Sequence, residues 1–254
     1  MRGFHDFIER AGPATRFRCG SIAPKLRAEL RAAAADLGAV LFPAVCHGCG
    51  GLAVEGEWLP LLCDACGDGF PFHEAELEVP RPLAAGLALA RFEGPARRLL
   101  IELKFNGLLR AGRALGDRMG CAGGAAALLA DADLIVPVPL HWRRRWRRGH
   151  NQAAVLARAL GRTWRSAGGR AVAVAALRRS RATRPQVGRD RDDRMRNVAG
   201  AFRVRGAHAE LVAGKAIVLV DDVVTTGATA AAAARALLDA GAREVRLYAA
   251  AWAP

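Results

Sequence analysis

The feature that most limits the fold of this chain is the alternation of short aliphatic runs with longer alanine- and leucine-rich segments. Ala216–Val220 is a β-branched run with the length of a buried strand, and a helical pattern over Gly227–Ala240 follows it and ends at Gly241. Similar strand patterns lie at 87–92, 134–140, 171–177 and 244–250, and helical patterns at 95–105, 108–119 and 151–164. Strands that alternate with helices require crossover connections, which place helices against a parallel sheet. The sequence therefore predicts an α/β domain with a parallel sheet and helices on both of its faces.

Four of the six cysteines form two close pairs, Cys46-x2-Cys49 and Cys63-x2-Cys66, separated by 13 residues. Two tight turns that each carry two thiolates are typical of a tetrahedral zinc site, and the intervening segment is long enough for a hairpin. The alternative, two redox-active pairs without metal, remains possible on spacing alone. With all four positions filled by protein, a zinc ion here is expected to be structural.

These patterns divide the chain into three parts. We expect an N-terminal extension of unassigned role over residues 1–40, a four-cysteine zinc ribbon over residues 41–72 and the α/β domain over residues 83–254. No apolar run approaches the roughly 18 residues needed to span a bilayer. The N-terminus carries charges where a signal peptide needs its apolar core. The sequence therefore predicts a cytoplasmic protein without a membrane span.

The positive charge of the chain is concentrated in one segment. Residues 141–205 contain 19 arginines and three aspartates, a balance of +16, although the whole chain carries only +14. A solvated basic face is one interpretation of this segment. The other is a surface that meets polyanions, such as phosphates or a nucleic acid backbone.

The segment VDDVVTTGAT, at 220–229, combines two kinds of polar group at the end of the predicted strand. Asp221 and Asp222 bring two carboxylates to the carboxyl edge of the sheet, where they need partners such as ribose hydroxyls or a hydrated divalent cation. The helix start that follows offers free N–H groups and threonine hydroxyls to a phosphate. An ordinary strand followed by an N-capping threonine would not explain the paired acids. The pattern indicates a ribose 5-phosphate site.

Two other nucleotide-binding patterns are excluded. The phosphate loop of nucleotide hydrolases needs G-x-x-x-x-G-K-[ST], but Gly214-Lys215 is followed by alanine and lacks the upstream glycine. A G-x-G-x-x-A pattern at 48–53 lies inside the cysteine module and follows no strand. It is therefore not a dinucleotide fingerprint.

The tract HWRRRWRRGHNQ, at 141–152, interleaves two tryptophans with five arginines. Such a tract could stack on unpaired bases while its arginines meet phosphates, as sequence-tolerant single-strand binders do. Alternatively, the four-residue spacing of Trp142 and Trp146 could place both on the buried face of a helix. A third interpretation is that the arginines of this tract bind only a pyrophosphate, although one small ligand needs fewer arginines.

Taken together, several motifs resemble the ComF family of bacterial competence proteins. Residues 217–229 resemble the phosphoribosyl diphosphate (PRPP) signature of type I phosphoribosyltransferases. Residues 137–153, PVPLHWRRRWRRGHNQA, resemble a second block of the ComF family. Within this block, His150 lies at a position where an aromatic residue is more usual. Leu103-Lys104-Phe105, Ala201-Phe202 and the two cysteine pairs also match, so that the resemblance covers roughly residues 40–250.

The resemblance implies a role for each matching part. It implies that Asp221 and Asp222 hold the ribose hydroxyls, directly or through Mg²⁺, and that the 5-phosphate lies in the turn formed by Thr225, Thr226, Gly227, Ala228 and Thr229. It assigns the pyrophosphate to the loop of Leu140, His141, Arg143, Arg145 and Arg148. It also implies a mobile loop that contains Arg178, Thr183, Gln186, Arg194 and Asn197.

Two functions remain open on the sequence. One is an enzyme that transfers the phosphoribosyl group from PRPP to an acceptor, or hydrolyses PRPP. The other is a binding protein of DNA uptake, in which PRPP is held and the basic segment meets single-stranded DNA and other competence or DNA-processing proteins. No segment can be identified as a nucleobase-binding hood, so ligand binding ranks above turnover.

Overall fold

The computed structural model describes residues 45–51, 61–140, 149–180 and 200–253. The expected N-terminal extension lies outside these residues. The strands are β1 Phe72–Glu76, β2 Gly86–Arg91, β3 Leu134–Pro137, β4 Val172–Ala173, β5 Leu177–Arg179, β6 Phe202–Val204, β7 Ala216–Val224 and β8 Glu244–Trp252. The α-helices are α1 Asp64–Asp68, α2 Gly94–Ile101, α3 Leu109–Cys121, α4 Gly123–Leu129, α5 Gln152–Ser166, α6 Ala209–Val212 and α7 Ala228–Leu238. A π-helical segment, Glu102–Asn106, continues α2, and a 3₁₀ turn, Gly206–His208, precedes α6.

Six strands form one sheet in the order β1-β2-β8-β7-β3-β4, and β5 pairs with β6 in a separate two-stranded sheet. All pairings from β2 to β4 in the large sheet are parallel, whereas β1 pairs antiparallel with β2 at the edge. The predicted parallel α/β sheet is therefore confirmed. Among the described residues, no helix is long and apolar enough to cross a membrane.

Helices cover both faces of the sheet because side chains alternate along each strand. In β7, Val218 and Val220 belong to a core shared with helices α2 to α5. Ile217 and Leu219 point to a second core, which contains α7 and the β5–β6 sheet. This two-sided burial explains why the strand is a continuous aliphatic run rather than an alternating one.

The connections of the sheet diverge between β3 and β7. β3 continues through α5 to its outer neighbour β4, whereas β7 continues through α7 to β8 on its other side. Open α/β sheets bind ligands at such a switch point, in the crevice outside the carboxyl ends of the strands. The fold therefore directs attention to the ends of β3 and β7.

Several elements differ from the sequence expectations. β7 does not stop at the paired acids but continues to Val224, since β8 extends beside it to Trp252. The strand expected at 171–177 is divided into β4 and β5, which belong to different sheets. Strand β1 and the β5–β6 pairing were not predicted. β1 lies in the segment between the cysteine module and the expected start of the α/β domain, so the large sheet begins earlier than the sequence indicates.

Helices α3 and α5 approach closely along a glycine stripe on α3. A Cβ atom at Gly116 would lie 2.6 Å from Ala159 Cβ and 2.6 Å from the Leu156 oxygen. One turn away on either side, Cβ atoms at Gly112 and Gly120 would come within 3.0 Å of α5 side chains. The glycines therefore set the distance between the two helices, which support one face of the sheet.

We expect Gly116→Ala to destabilise the protein despite the higher helix propensity of alanine. The added methyl group meets the backbone of α5, which cannot move aside without shifting the helix, and overpacking of this kind costs about 1–3 kcal/mol. Gly123→Ala is the matched control, because the nearest atom to its added Cβ lies 3.9 Å away. Urea unfolding of both variants measures the difference, and equal stability would contradict the proposed close packing.

Candidate functional site

Asp221 and Asp222 lie in the part of β7 that extends beyond the end of β3. The last β3 pairing joins Pro137 to Val220, while Asp221 still pairs with Ala249 of β8. The Asp222 N–H donates to Asp221 Oδ1 at 2.8 Å, and the Val223 N–H donates to Asp222 Oδ1 at 2.7 Å. Both residues are half-buried. These local hydrogen bonds fix the two carboxylates at the mouth of the crevice between β3 and β7.

Lys104 is the cation that meets this acid pair. Its Nζ lies 3.3 Å from Asp222 Oδ2, and the two side chains are only 20% and 14% exposed. The lysine belongs to the π-helical segment Glu102–Asn106, and π-helical turns inside α-helices are rare and frequent at functional sites. A largely desolvated ion pair of this kind couples the segment to the end of β7.

The turn before α5 holds the π-helical segment in place. His150 Nε2 lies 2.7 Å from the Leu103 oxygen, a geometry in which the ring N–H donates. Gln152 Nε2 donates a longer hydrogen bond of 3.5 Å to the Lys104 oxygen. Between them, Asn151 Nδ2 donates to the Val138 oxygen at 3.0 Å and so ties this turn to the end of β3. The tripeptide His150-Asn151-Gln152 thus positions both Lys104 and the loop that follows β3.

The carboxyl group of Asp221 has an unusual proton affinity. Burial of the carboxyl group, with the neighbouring charge of Asp222, raises its pKa to about 7. The Asp222 N–H and the charges of Lys104 and Arg179 act in the opposite direction and offset only part of this rise. The cations in the described part of the chain therefore neutralise the acid pair only in part, which suits a site that receives a further cation or hydroxyl donors.

The turn from β7 into α7 is built for close approach to its backbone. Gly227 has a φ of 72°, a left-handed conformation that favours glycine, and a Cβ atom there would lie 2.7 Å from Pro80 Cδ. Thr225 is exposed, Thr226 and Thr229 are half-buried, and Ala228 is buried as the first residue of the helix. Among the residues that the structure describes, no side chain caps the first N–H groups of α7. N–H groups at a helix start can donate to an anionic ligand.

The other predicted site residues are only partly described. Leu140 is half-buried in the segment after β3, next to the crevice. His141, Arg143, Arg145 and Arg148 of the expected pyrophosphate loop lie outside the described residues, as do Thr183, Gln186, Arg194 and Asn197 of the expected mobile loop. Arg178 is exposed on β5 and lines a cleft beside α7, whereas it is the adjacent Arg179 whose charge reaches Asp221.

Sequence reasoning did not assign roles to Lys104, Arg179 or His150 at the acid pair. The Leu103-Lys104-Phe105 motif was a signal for the first of these, but it gives no partner because Lys104 and Asp222 are 118 positions apart. Arg179 is indistinguishable from its neighbours in an arginine-rich sequence.

The four paired cysteines converge on one point. Their Sγ atoms all lie within 4.8 Å of one another, a cluster that could bind a metal ion such as zinc. The N–H groups of Gly48 and Cys63 each lie 3.3 Å from Cys46 Sγ as donors. A Cβ atom at Gly48 would lie 2.8 Å from Cys66 Sγ, so this turn accepts only glycine.

The thiols of this cluster differ in acidity. Burial acts to raise the pKa of Cys46, but backbone N–H donors outweigh it and lower that pKa to about 6. Burial and the neighbouring thiols raise the pKa of Cys66 to about 12. Cys46 and Cys66 therefore do not ionise together on their own, and a divalent cation is what would stabilise both as thiolates.

The cysteine cluster is packed against the α/β sheet. Cys46, Leu61, Leu62 and Phe70 belong to the same hydrophobic core as helices α2 to α5. Arg98 of α2 also donates a hydrogen bond to the Gly48 oxygen, at the turn between the first two cysteines. The cluster thus contacts the helix whose π-helical extension carries Lys104.

Comparisons with known proteins show what this chain is similar to. A family model described as "Phosphoribosyl transferase domain" matches residues 147–253. The chain is 35% identical over 201 residues to the DNA utilization protein YhgH of Escherichia coli K12, which covers 74% of this chain and 82% of that protein. It is 35% identical over 116 residues to competence protein F of Haemophilus influenzae, which covers 46% of this chain and 48% of that protein. A solved structure of the allosteric regulatory enzyme of purine biosynthesis matches 55% of this chain and 26% of its own, at 20% identity and a TM-score of 0.33.

The raised pKa of Asp221 predicts how stability depends on pH. Between the usual carboxyl range near 4 and a folded pKa of about 7, the folded state binds a proton that the unfolded state has released, so stability falls as pH rises through this window. Asp221→Asn is neutral at every pH and should remove this slope. We expect the variant to have the higher Tm at pH 8, with a difference that shrinks toward pH 5. If the Tm of the wild type and the Tm of the variant, both measured without metal ions, depend on pH in the same way, the raised pKa of Asp221 is contradicted.

Proposed function

This chain belongs to the ComF family, which includes the DNA utilization protein YhgH and competence protein F, and on that premise we propose that it binds PRPP with Mg²⁺ and acts in DNA uptake or in the processing of incoming single-stranded DNA. The observation that carries the PRPP proposal is the pair Asp221-Asp222 at the switch point of the sheet, followed directly by the uncapped start of α7. This arrangement offers acids to a sugar and N–H donors to a phosphate at one edge.

In this proposal each part of the site takes one part of the ligand. Asp221 and Asp222 hold the ribose 2- and 3-hydroxyls, directly or through the hydration shell of Mg²⁺. The 5-phosphate accepts hydrogen bonds from the turn of Thr225, Thr226, Gly227, Ala228 and Thr229. The pyrophosphate lies toward Leu140, with the basic residues His141, Arg143, Arg145 and Arg148 as its partners.

When no ligand is bound, the Lys104 ammonium group neutralises Asp222 in the crevice. In this proposal, Lys104 would compete with Mg²⁺ or the sugar for the same carboxylate. His150 and Gln152 hold the backbone oxygens of Leu103 and Lys104, so the lysine side chain can release Asp222 without a shift of the segment.

An active phosphoribosyltransferase is the second candidate. The intact acid pair and helix start favour it, because they are the parts needed to orient the sugar. In that reaction the bond from the anomeric carbon to the pyrophosphate oxygen breaks, and an acceptor or water forms the new bond to carbon. Mg²⁺ would neutralise the departing pyrophosphate, which arginines also stabilise.

The DNA role rests on two independent observations. The curated relatives carry the names DNA utilization protein and competence protein. The chain itself concentrates a balance of +16 in residues 141–205, where sequence-independent contacts to a phosphate backbone need cations. We place this function in the cytoplasm, alongside other competence or DNA-processing proteins.

We also propose that Cys46, Cys49, Cys63 and Cys66 bind one structural zinc ion. Four protein sulfurs complete a tetrahedral shell and leave no position for a substrate. Because the cluster shares its core with α2 to α5, the metal stabilises this side of the sheet as well as the ribbon.

The acid pair is tested by the double variant Asp221→Asn/Asp222→Asn. Replacing both carboxylates removes the groups proposed to hold the ribose and Mg²⁺, so we expect PRPP binding in calorimetry to fall by at least 100-fold and to lose its dependence on Mg²⁺. Glu210→Gln, an exposed acid on α6, is the matched control. Unchanged affinity in the double variant would remove the basis of the site.

Pyrophosphate release, followed in the same PRPP titration, separates the two candidate functions. Binding without release supports the binding protein, and release that depends on Asp221 and Asp222 supports the transferase.

Metal analysis tests the cysteine cluster. We expect one zinc ion per chain, and Cys49→Ser should lose it because three thiolates and a hydroxyl bind zinc far more weakly. Chelation should lower the Tm of the wild type and leave that of the variant unchanged. Cys121→Ser is the control, since this exposed cysteine lies outside the cluster. Two zinc ions, or none, would contradict the four-cysteine site.

A further inference from the structure

A cleft lies alongside α7. Its volume is about 810 Å³, within the range of roughly 300–1,000 Å³ that is usual for ligand clefts. α7 forms one wall, β6 and the 3₁₀ turn form the other, and Arg81-Pro82 closes one end. Ala228, the first residue of α7, is part of the lining, so the cleft starts beside the proposed phosphate turn.

Four exposed arginines from separate parts of the chain converge on this cleft: Arg81, Arg178, Arg203 and Arg235. Asp239 is the single acid among its lining residues. The structure records no hydrogen bond or ion pair for these four guanidinium groups among the described residues. Like charges that gather around a concavity repel one another unless an anion neutralises them.

Much of the rest of the lining is small and apolar. It includes alanines of α7, with Pro82 and Val204. These side chains have no hydrogen-bonding groups with which to read a base. Recognition here would depend on arginine contacts to phosphates and would be independent of sequence.

We propose that this cleft is a docking site for the phosphate backbone of single-stranded DNA. The inference rests on the DNA role proposed above and locates the strand in a cleft that begins beside the proposed phosphate turn. Proteins read a duplex by placing protruding elements in its grooves, which a concave surface cannot do. A single strand can lie in the cleft, with its phosphates toward the arginines and its bases against the alanine side chains or toward solvent.

The test is the salt dependence of binding to a fluorescent 20-mer of thymidylate, measured by anisotropy. The triple variant Arg81→Ala/Arg203→Ala/Arg235→Ala removes three phosphate contacts, each worth about 0.7 in the slope of log K against log salt, so the slope should fall by about 2. That corresponds to about a 100-fold loss of affinity at 0.1 M salt, which vanishes toward 1 M.

The matched control is Arg91→Ala/Arg97→Ala/Arg113→Ala. It removes the same charge from exposed positions on β2, α2 and α3, outside both the cleft and the basic segment 141–205. The inference predicts that the control retains the wild-type slope and that a duplex of equal length binds the wild type more weakly than the single strand. Equal losses in the two variants, or no loss in either, would overturn it. Stronger duplex binding would also overturn it.

Two further measurements keep the outcomes distinct. Sedimentation velocity of the wild type and the cleft variant tests whether the cleft instead joins two copies of this chain. If the wild type is a dimer and the variant is a monomer, the inference is overturned. PRPP calorimetry on the cleft variant should match the wild type. If PRPP binds but the 20-mer does not, the DNA docking site fails alone, and if the 20-mer behaves as expected without PRPP binding, only the PRPP proposal fails.

Discussion

The difference in length between two neighbouring strands determines where this protein can bind a ligand. β3 makes its last pairing with β7 at Val220, but β7 continues beside β8 for four more residues. On the β3 side, these last residues border the crevice from which the crossovers of the sheet diverge. Both acids occupy this overhang, and the helix that follows begins where the overhang ends. The positions of the proposed sugar site, the proposed phosphate turn and the loop after β3 all follow from it.

Two adjacent carboxylates in a half-buried crevice create an electrostatic problem that the protein solves only in part. Lys104 pairs with Asp222, but the pKa of Asp221 stays raised to about 7. At neutral pH the site is therefore close to gaining or losing a proton. A bound cation would favour the ionised form of both acids. The described cations leave part of the charge of the acid pair without a partner. Such a charge is expected of a site that binds a ligand rather than of one that only stabilises the fold.

The sequence allowed the α/β class, most strand and helix segments and the acid pair to be predicted, because buried parallel strands are continuous aliphatic runs and the cysteine spacing is characteristic. It did not reveal β1, whose sequence FHEAE is largely polar and half-exposed at the sheet edge. It also ended β7 too early, since charges usually terminate a buried strand, and tertiary pairing with β8 overrides that preference. The partnership of Lys104 with Asp222 depends on contacts between distant segments and has no local signature.

One continuous stretch of helix joins the two sites of this molecule. α2 contacts the cysteine turn through Arg98 and continues without a break into the π-helical segment, where Lys104 meets the acid pair six residues later. At about 1.5 Å per residue, the two contacts are separated by only about 9 Å along the helix axis. The cysteine module therefore contacts one end of this helical stretch, and Asp222 contacts the other end. The same stretch of helix thus fixes the position of the sulfur cluster relative to that of Lys104 at the proposed sugar site.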